Sequence, residues 1–270
     1  DAILSAAAES HVKGGTVCQR RFYEPVQRGK KAIENGRIGK PIMGTVTMLG
    51  WRDQPYYESD SWRGTWKGEG GGVLVNQAPH QMDLLQWFLG PIAELTGYRS
   101  NQNHPYIEVE DTAVAILKFK SGAIGNICVS NSQNPALYCN VHVHGENGGS
   151  IGVQTDGGAM FIAGMSSIEE PPRLDLWTVP AEAELMDAWN AEDAAVFEST
   201  DPMERYHQLQ IADFLEAVIH DREPLVTGQD GRITVEIFTA IYRSTRDSRP
   251  EGFPLEPEVD RNDFDGRFTI

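Results

Sequence analysis

The chain has 270 residues, 40% of them hydrophobic and 23% charged, which supports a folded core and excludes a disordered chain. Its formal net charge of -16 disfavours nucleic acid and anionic membranes as partners, and no run approaches the ~20 apolar residues that a membrane-spanning helix needs. No secretory leader opens it, and Cys18, Cys128 and Cys139 are an odd set without metal-like spacing in strand-like stretches, so buried free thiols in a reducing cytoplasm are expected.

Residues 2–12 carry Ala2, Ile3, Ala6, Ala7 and Val12 at helical spacing, and Gly14 and Gly15 stop that helix. A chain that starts inside a helix reads as a fragment or a processed product. Thr16 to Phe22 reads as a short strand. Pro25 opens a helix to about Asn35, ended by Gly36, Gly39 and Pro41. Ile42 to Trp51 is strand-like, and a polar, aromatic loop runs from Arg52 to Gly72. A helix is predicted from about Asn76 to Phe88, closed by Gly90 and Pro91, with Met48, Met82 and Phe88 in the core.

Beyond Gly90 the hydrophobic period becomes two. Residues 93–101, 111–120, 123–132, 137–144, 149–154 and 158–163 read as strands, with 174–179 as a further candidate. Turns fall at Ser121-Gly122, Asn134-Pro135 and Gly148-Gly149, so an antiparallel meander is predicted. Within 137–144, Leu137, Cys139, Val141 and Val143 share one face, and Tyr138, Asn140, His142 and His144 the other. Two amphipathic helices follow: Tyr206, Leu209, Ala212, Phe214, Leu215 and Val218 stripe the first, and Ile233, Ile237, Ala240 and Ile241 the second. The expected fold class is α+β, a large, mainly antiparallel sheet with helices on one face, led in by the remnant of a doubly wound α/β domain.

The segment GEGGGVLVNQAPHQMDLLQWFLG, Gly68 to Gly90, carries the chemistry. Gly70, Gly71 and Gly72 permit close approach of a ligand or of another strand. On one continuous helix, Asn76, His80, Asp83 and Trp87 would share a face. His80 is suited to take a hydroxyl proton, and Asn76 to hydrogen-bond hydroxyls without taking the proton. The competing reading is a surface His80–Asp83 contact on a glycine-flanked helix. His142 and His144 share a strand face, but Glu146 follows too closely for a cupin-like ligand set, and no metal is expected.

This segment resembles the second-domain motif of the Gfo/Idh/MocA family of glucose–fructose oxidoreductases and inositol dehydrogenases: a glycine run, Asp-x-x-x-His, a further Asp and an apolar helix ending in Gly. Gly70, Gly71, Gly72, His80, Asp83 and Gly90 match, while Asn76 stands where the family usually has Asp. QRRF, Gln19 to Phe22, resembles the strand leaving the nucleotide-binding domain, and SWRG, Ser61 to Gly64, a Trp-Arg pair that touches the cofactor. TGQDGRITVEIFTAIYRS, Thr227 to Ser244, is similar to the family's last helix.

The resemblance implies an NAD- or NADP-dependent dehydrogenase of a sugar or polyol. Its catalytic residues would be His80 and Asn76, its cofactor contacts Trp62 and Arg63, and its substrate contacts Arg21, Asn76 and one of Tyr206 and His207. It implies residues 1–22 as the end of a Rossmann domain, 23–270 as the substrate-binding and oligomerisation domain, and a homodimer or tetramer through the open sheet face. The chain contains neither a G-x-G-x-x-G cradle nor the family's Glu-Lys-Pro segment, so by itself it is expected neither to bind the dinucleotide nor to turn over. The alternative is a dimerisation or sugar-sensing domain that kept the pocket without the chemistry. A coding sequence with G-x-G-x-x-G upstream of Asp1 would favour the enzyme.

Overall fold

In a computed structural model of the chain, the structure describes residues 1–157 and 170–258. Most stretches read as strands do form one sheet, which buries one face under helices and leaves the other outside, most regularly in Thr112–Phe119 and Tyr138–Gly145. The sheet has eight strands: β1 (Pro41–Leu49), β2 (Ile92–Ser100), β3 (Thr112–Phe119), β4 (Ile124–Ser130), β5 (Tyr138–Gly145), β6 (Ser150–Gly157), β7 (Arg173–Trp177) and the short β8 (Glu251–Gly252). Their order is β7-β6-β5-β1-β4-β3-β2-β8.

The expected meander is therefore split. β2, β3 and β4 run antiparallel in sequence, and so do β5, β6 and β7, but β1 lies between the two groups. It pairs antiparallel with β5 and parallel with β4, with Val46 opposite both Val141 and Ile127. Period-two reading identifies β1 as a strand but carries no information on its neighbours, which tertiary packing selects. The predicted strand over 158–163 lies outside the described residues.

Helices cover one face. The α-helices among the described residues are α1 (Ala2–Glu9), α2 (Glu24–Glu34), α3 (Gln54–Glu58), α4 (Val73–Asn76), α5 (Pro79–Leu89), α6 (Met186–Glu198), α7 (Pro202–Ile219) and α8 (Gly228–Asp247); of these α2 packs on β6, α5 on β1 and β5, α8 on β2, and α6 on β7. Between helices and sheet lie Met48, Met82, Leu85, Phe88, Val141, Val143 and Ile241, all buried. In β5 the alternation holds for Cys139, Val141 and Val143, whereas Leu137 precedes the strand and is exposed. α8 starts at a capping box, in which the Asp230 backbone N–H donates to Thr227 Oγ1 and Asp230 accepts from the Thr227 backbone N–H.

Two sequence expectations fail locally. Thr16 to Phe22 is not a strand: after a single bridge from Gly15 to Thr227, residues Gln19–Phe22 form a 3-10 turn. That turn swings Arg20 and Arg21 into buried carboxylates, and their ion pairs outweigh the extended preference. The predicted helix over 76–88 is two helices, α4 (Val73–Asn76) and α5, because Pro79 starts a new one. Cys18 thus lies at the turn, Cys139 is buried in β5, and Cys128 is half-exposed on the open face of β4; all three are free thiols.

Candidate active site

Residues 52–72 fold against the start of β3 through carboxylates that sequence reading did not single out. The Arg63 guanidinium stacks over the rings of Tyr56 and Trp62, 4.3 and 4.4 Å from their centroids, and donates to the Tyr56 hydroxyl at 2.6 Å. Trp62 remains 41% exposed. The Gly64 backbone N–H, next in the chain, donates to Glu69 Oε2 at 2.6 Å. Glu69 Oε1 in turn accepts from Asn76 Nδ2.

The glycine run serves protein contacts more than ligand access. A Cβ at Gly72 would lie 1.8 Å from the Glu110 carbonyl oxygen, and one at Gly71 would lie 2.2 Å from the Tyr242 hydroxyl. Gly70 alone of the three faces open space, at φ +83. Glu110, fully buried, accepts at Oε1 from the Gly72 and Leu74 backbone N–H groups (3.0 and 3.1 Å) and from Tyr242 (2.9 Å). It thus anchors the first turn of α4.

Burial pushes the Glu110 carboxyl up to about 7 despite those donors. Unfolded, it titrates near its ordinary 4.5, so between these values the folded state holds the extra proton. Its contribution to stability is complete below the unfolded pKa and falls as pH rises toward 7, by about 3 kcal/mol at most. Replacing Glu110 with Gln is expected to remove that fall, read as urea midpoints at pH 5 and pH 8. An unchanged pH dependence would contradict the assignment.

α5 carries the second half of the site. Its His80, Asp83 and Trp87 do share a face, but Asn76 belongs to the separate α4 and is bound to Glu69 instead. His80 lines a cleft of about 260 Å3 with Cys18, Val75, Val226, Val235 and Phe238. Its imidazole is half-buried and makes no hydrogen bond to another described residue. Burial first, then the charges of Arg20 and His207, hold it well below the ordinary histidine pKa, so it is neutral at pH 7.

The predicted His80–Asp83 contact is absent because Asp83 is already engaged. Arg21 binds it through two nitrogens, at 2.7 and 2.6 Å, and Cys18 Sγ donates to it at 2.9 Å. Arg21 also reaches Asp230 on α8 at 3.0 Å and the Leu225 carbonyl at 3.0 Å, and its side chain is 1% exposed. Its nitrogens are therefore engaged in tying α5, α8 and the 3-10 turn together, not in lining the cleft. Arg20 makes a matching bidentate pair with Asp156, which also accepts from Gln81.

Of Tyr206 and His207, on α7 (Pro202–Ile219), it is His207 whose charge acts on His80. Tyr206 is buried against Tyr23, with ring centroids 4.4 Å apart, and its hydroxyl donates to Glu24 at 2.7 Å. His207 lies near enough to His80 to depress it further, and its Nδ1 is 2.6 Å from the Met203 carbonyl. On the open face, His142 Nε2 is 2.8 Å from Asp175 and His144 Nδ1 is 2.9 Å from Ser150. Among the described residues no group of three His, Cys, Asp or Glu side chains is arranged to hold a metal.

A family model described as the oxidoreductase family, C-terminal alpha/beta domain, matches residues 30–253. The chain is similar to scyllo-inositol 2-dehydrogenase (NAD(+)) of Bacillus subtilis (strain 168), being 25% identical over 267 residues, 95% of this chain and 67% of that protein. It is 30% identical to D-apiose dehydrogenase of Rhizobium rhizogenes over 115 residues, 41% of this chain and 30% of that one. Among solved structures, the WlbA dehydrogenase of Bordetella pertussis, in complex with NADH and UDP-GlcNAcA, superposes with a TM-score of 0.78 at 32% identity, over 94% of this chain and 68% of that one. The chain thus spans about two thirds of the length of the inositol dehydrogenase and of WlbA.

Proposed function

Because the chain belongs to the Gfo/Idh/MocA oxidoreductase family, we propose that it is the substrate-binding part of an NAD(P)-dependent dehydrogenase acting on a hydroxyl of a sugar or polyol. The observation that carries this reading is His80: a neutral imidazole without a hydrogen bond to any described residue, lining a cleft on the helix next to Asn76. The names of the relatives favour NAD as the dinucleotide and carbohydrates as substrates. In the division proposed, residues 1–22 lead in from a nucleotide-binding domain, and residues 23–270 form the substrate-binding domain.

In this reading His80 accepts the proton of the substrate hydroxyl as the C–H bond breaks. Its lowered pKa keeps it unprotonated and ready at neutral pH. Asn76 orients the hydroxyls, and His207, close enough to act on the His80 pKa, is a further candidate substrate contact. Trp62 and Arg63 present a partly exposed ring and a stacked cation where a flat nicotinamide would fit. NAD, when bound, supplies the acceptor for the departing hydride. The alternative, a sugar-sensing domain without chemistry, draws support from Asn76 in place of a carboxylate.

The test is nicotinamide reduction by the full-length protein with NAD and three probes: scyllo-inositol, D-apiose and UDP-GlcNAcA. Turnover of at least one supports the enzyme. Binding without turnover supports the sensing domain.

The uncovered sheet face is proposed to seat a second copy of the chain. It exposes Ile116 (67%), Tyr98 (64%), Val114, Ile124 and Met43, an apolar surface that water-soluble chains seldom leave open. Light scattering is expected to give at least twice the 29.9 kDa of this chain, falling toward one copy in Ile116→Asp. A monomeric wild-type chain would overturn this.

A further inference from the structure

We propose that Glu69 is the positioning residue that fixes the Asn76 amide, so that the site offers Asn76 Oδ1 as an acceptor for a substrate hydroxyl. The inference rests on the reading of Asn76 as a substrate contact, and goes further by stating which hydrogen-bonding sense the site selects.

An asparagine amide can present either its oxygen or its nitrogen, since the two ends have nearly the same shape. An ionised carboxylate beside it removes that ambiguity, because it can only accept. Glu69 Oε1 takes an Asn76 Nδ2 hydrogen, so the nitrogen end faces Glu69 and the oxygen end faces away. No described residue donates to Asn76 Oδ1. The oxygen that remains suits a hydroxyl donor and disfavours an ether, a carbonyl or a carboxylate at that point.

Glu69 is itself held in place. Its second oxygen accepts from the Gly64 backbone N–H at 2.6 Å, and its own backbone N–H donates to the Thr65 carbonyl at 2.9 Å. Gly64 adopts φ +69, where a side chain would be strained and would also meet Ile107 at 2.7 Å. One carboxylate therefore links the loop bearing Trp62 and Arg63 to the end of α4. The same geometry explains an amide at position 76. An aspartate there would bring two carboxyls into hydrogen-bonding range, and burial already raises Glu69.

The test reverses the bond. Glu69→Gln turns the Asn76 amide round, because a glutamine that accepts from Gly64 can only donate to position 76, and Asn76→Asp sets two carboxyls against each other, so neither single variant keeps the pair that offers an acceptor at position 76. The double variant restores it with the donor on residue 69, since a glutamine amide can donate to the carboxylate introduced at position 76 and accept from Gly64. In the full-length protein with NADH present, calorimetry with scyllo-inositol is expected to show each single variant weakening binding at least tenfold, and the double variant returning to within threefold of wild type. The Asn76→Asp loss should shrink as pH falls, since protonating one of the two carboxyls restores a hydrogen bond between them, a response that a merely structural role would not give. Asn76→Asp should lower the thermal midpoint by about 2–4 °C, and adding Glu69→Gln should recover that loss. A double variant as weak as the singles, or singles that bind like wild type, would overturn the proposal. If wild type does not bind scyllo-inositol, the substrate reading fails for that probe. The midpoints then decide alone: recovery in the double keeps Glu69 as the positioning residue, and additive losses overturn it.

Discussion

Replacing His80 by Ala in the full-length protein is expected to lower turnover by about 10²–10⁴-fold, the usual effect of losing a general base. NADH affinity should stay within about threefold of wild type. The split follows from position. His80 lies on α5 and lines the cleft, while the candidate cofactor contacts Trp62 and Arg63 belong to the loop braced by Glu69. Nor should the variant lose much stability, because His80 is half-buried and its ring holds no other described residue in place. Turnover within about threefold of wild type, well short of a general-base effect, would make His80 a structural residue.

Arg21→Ala is expected to destabilise the protein by about 3–5 kcal/mol, the cost of leaving a buried charge without its partner. Burial works against the Arg21 cation, but the Asp83 bond and the charges of Asp83 and Asp230 outweigh it and hold its pKa above the ordinary value. Removal strands Asp83 at the centre of the helical layer and releases α8 from α5. Arg21→Lys should recover only part of the loss, since an ammonium cannot reproduce the two-nitrogen contact. Equilibrium urea denaturation measures both. A residue that touched substrate alone would leave the unfolding midpoint unchanged and alter only substrate affinity.

That contrast shows where the sequence was legible. Strands such as β3 and β5 could be read because burial alternates along them, and α5, α7 and α8 because their apolar stripes recur every three or four residues. The place of β1 between β4 and β5 could not, since strand neighbours are chosen by contacts far apart in sequence. His80 was found through its place after a glycine run. Glu69, Glu110, Arg20 and Asp156 were not, because a charged residue beside a loop or strand end reads as solvated until the fold supplies its partner. Glu110 meets Tyr242, and Arg20 meets Asp156, across more than a hundred residues. Arg21 was noticed as a candidate substrate contact, but its bonds to Asp83 and Asp230 were not legible. The glycine run was open to two readings, and Glu110 and Tyr242 decide it for Gly71 and Gly72.

The proton-accepting role of His80 is tested most directly by the pH dependence of kcat/KM in the full-length protein, on whichever probe it oxidises fastest. With His80 held neutral by burial, Arg20 and His207, the acid limb should fall below the ordinary histidine value of 6.5, and it should disappear from the residual activity of His80→Ala. An acid limb at or above 6.5, or one that survives unchanged in His80→Ala, would contradict the account.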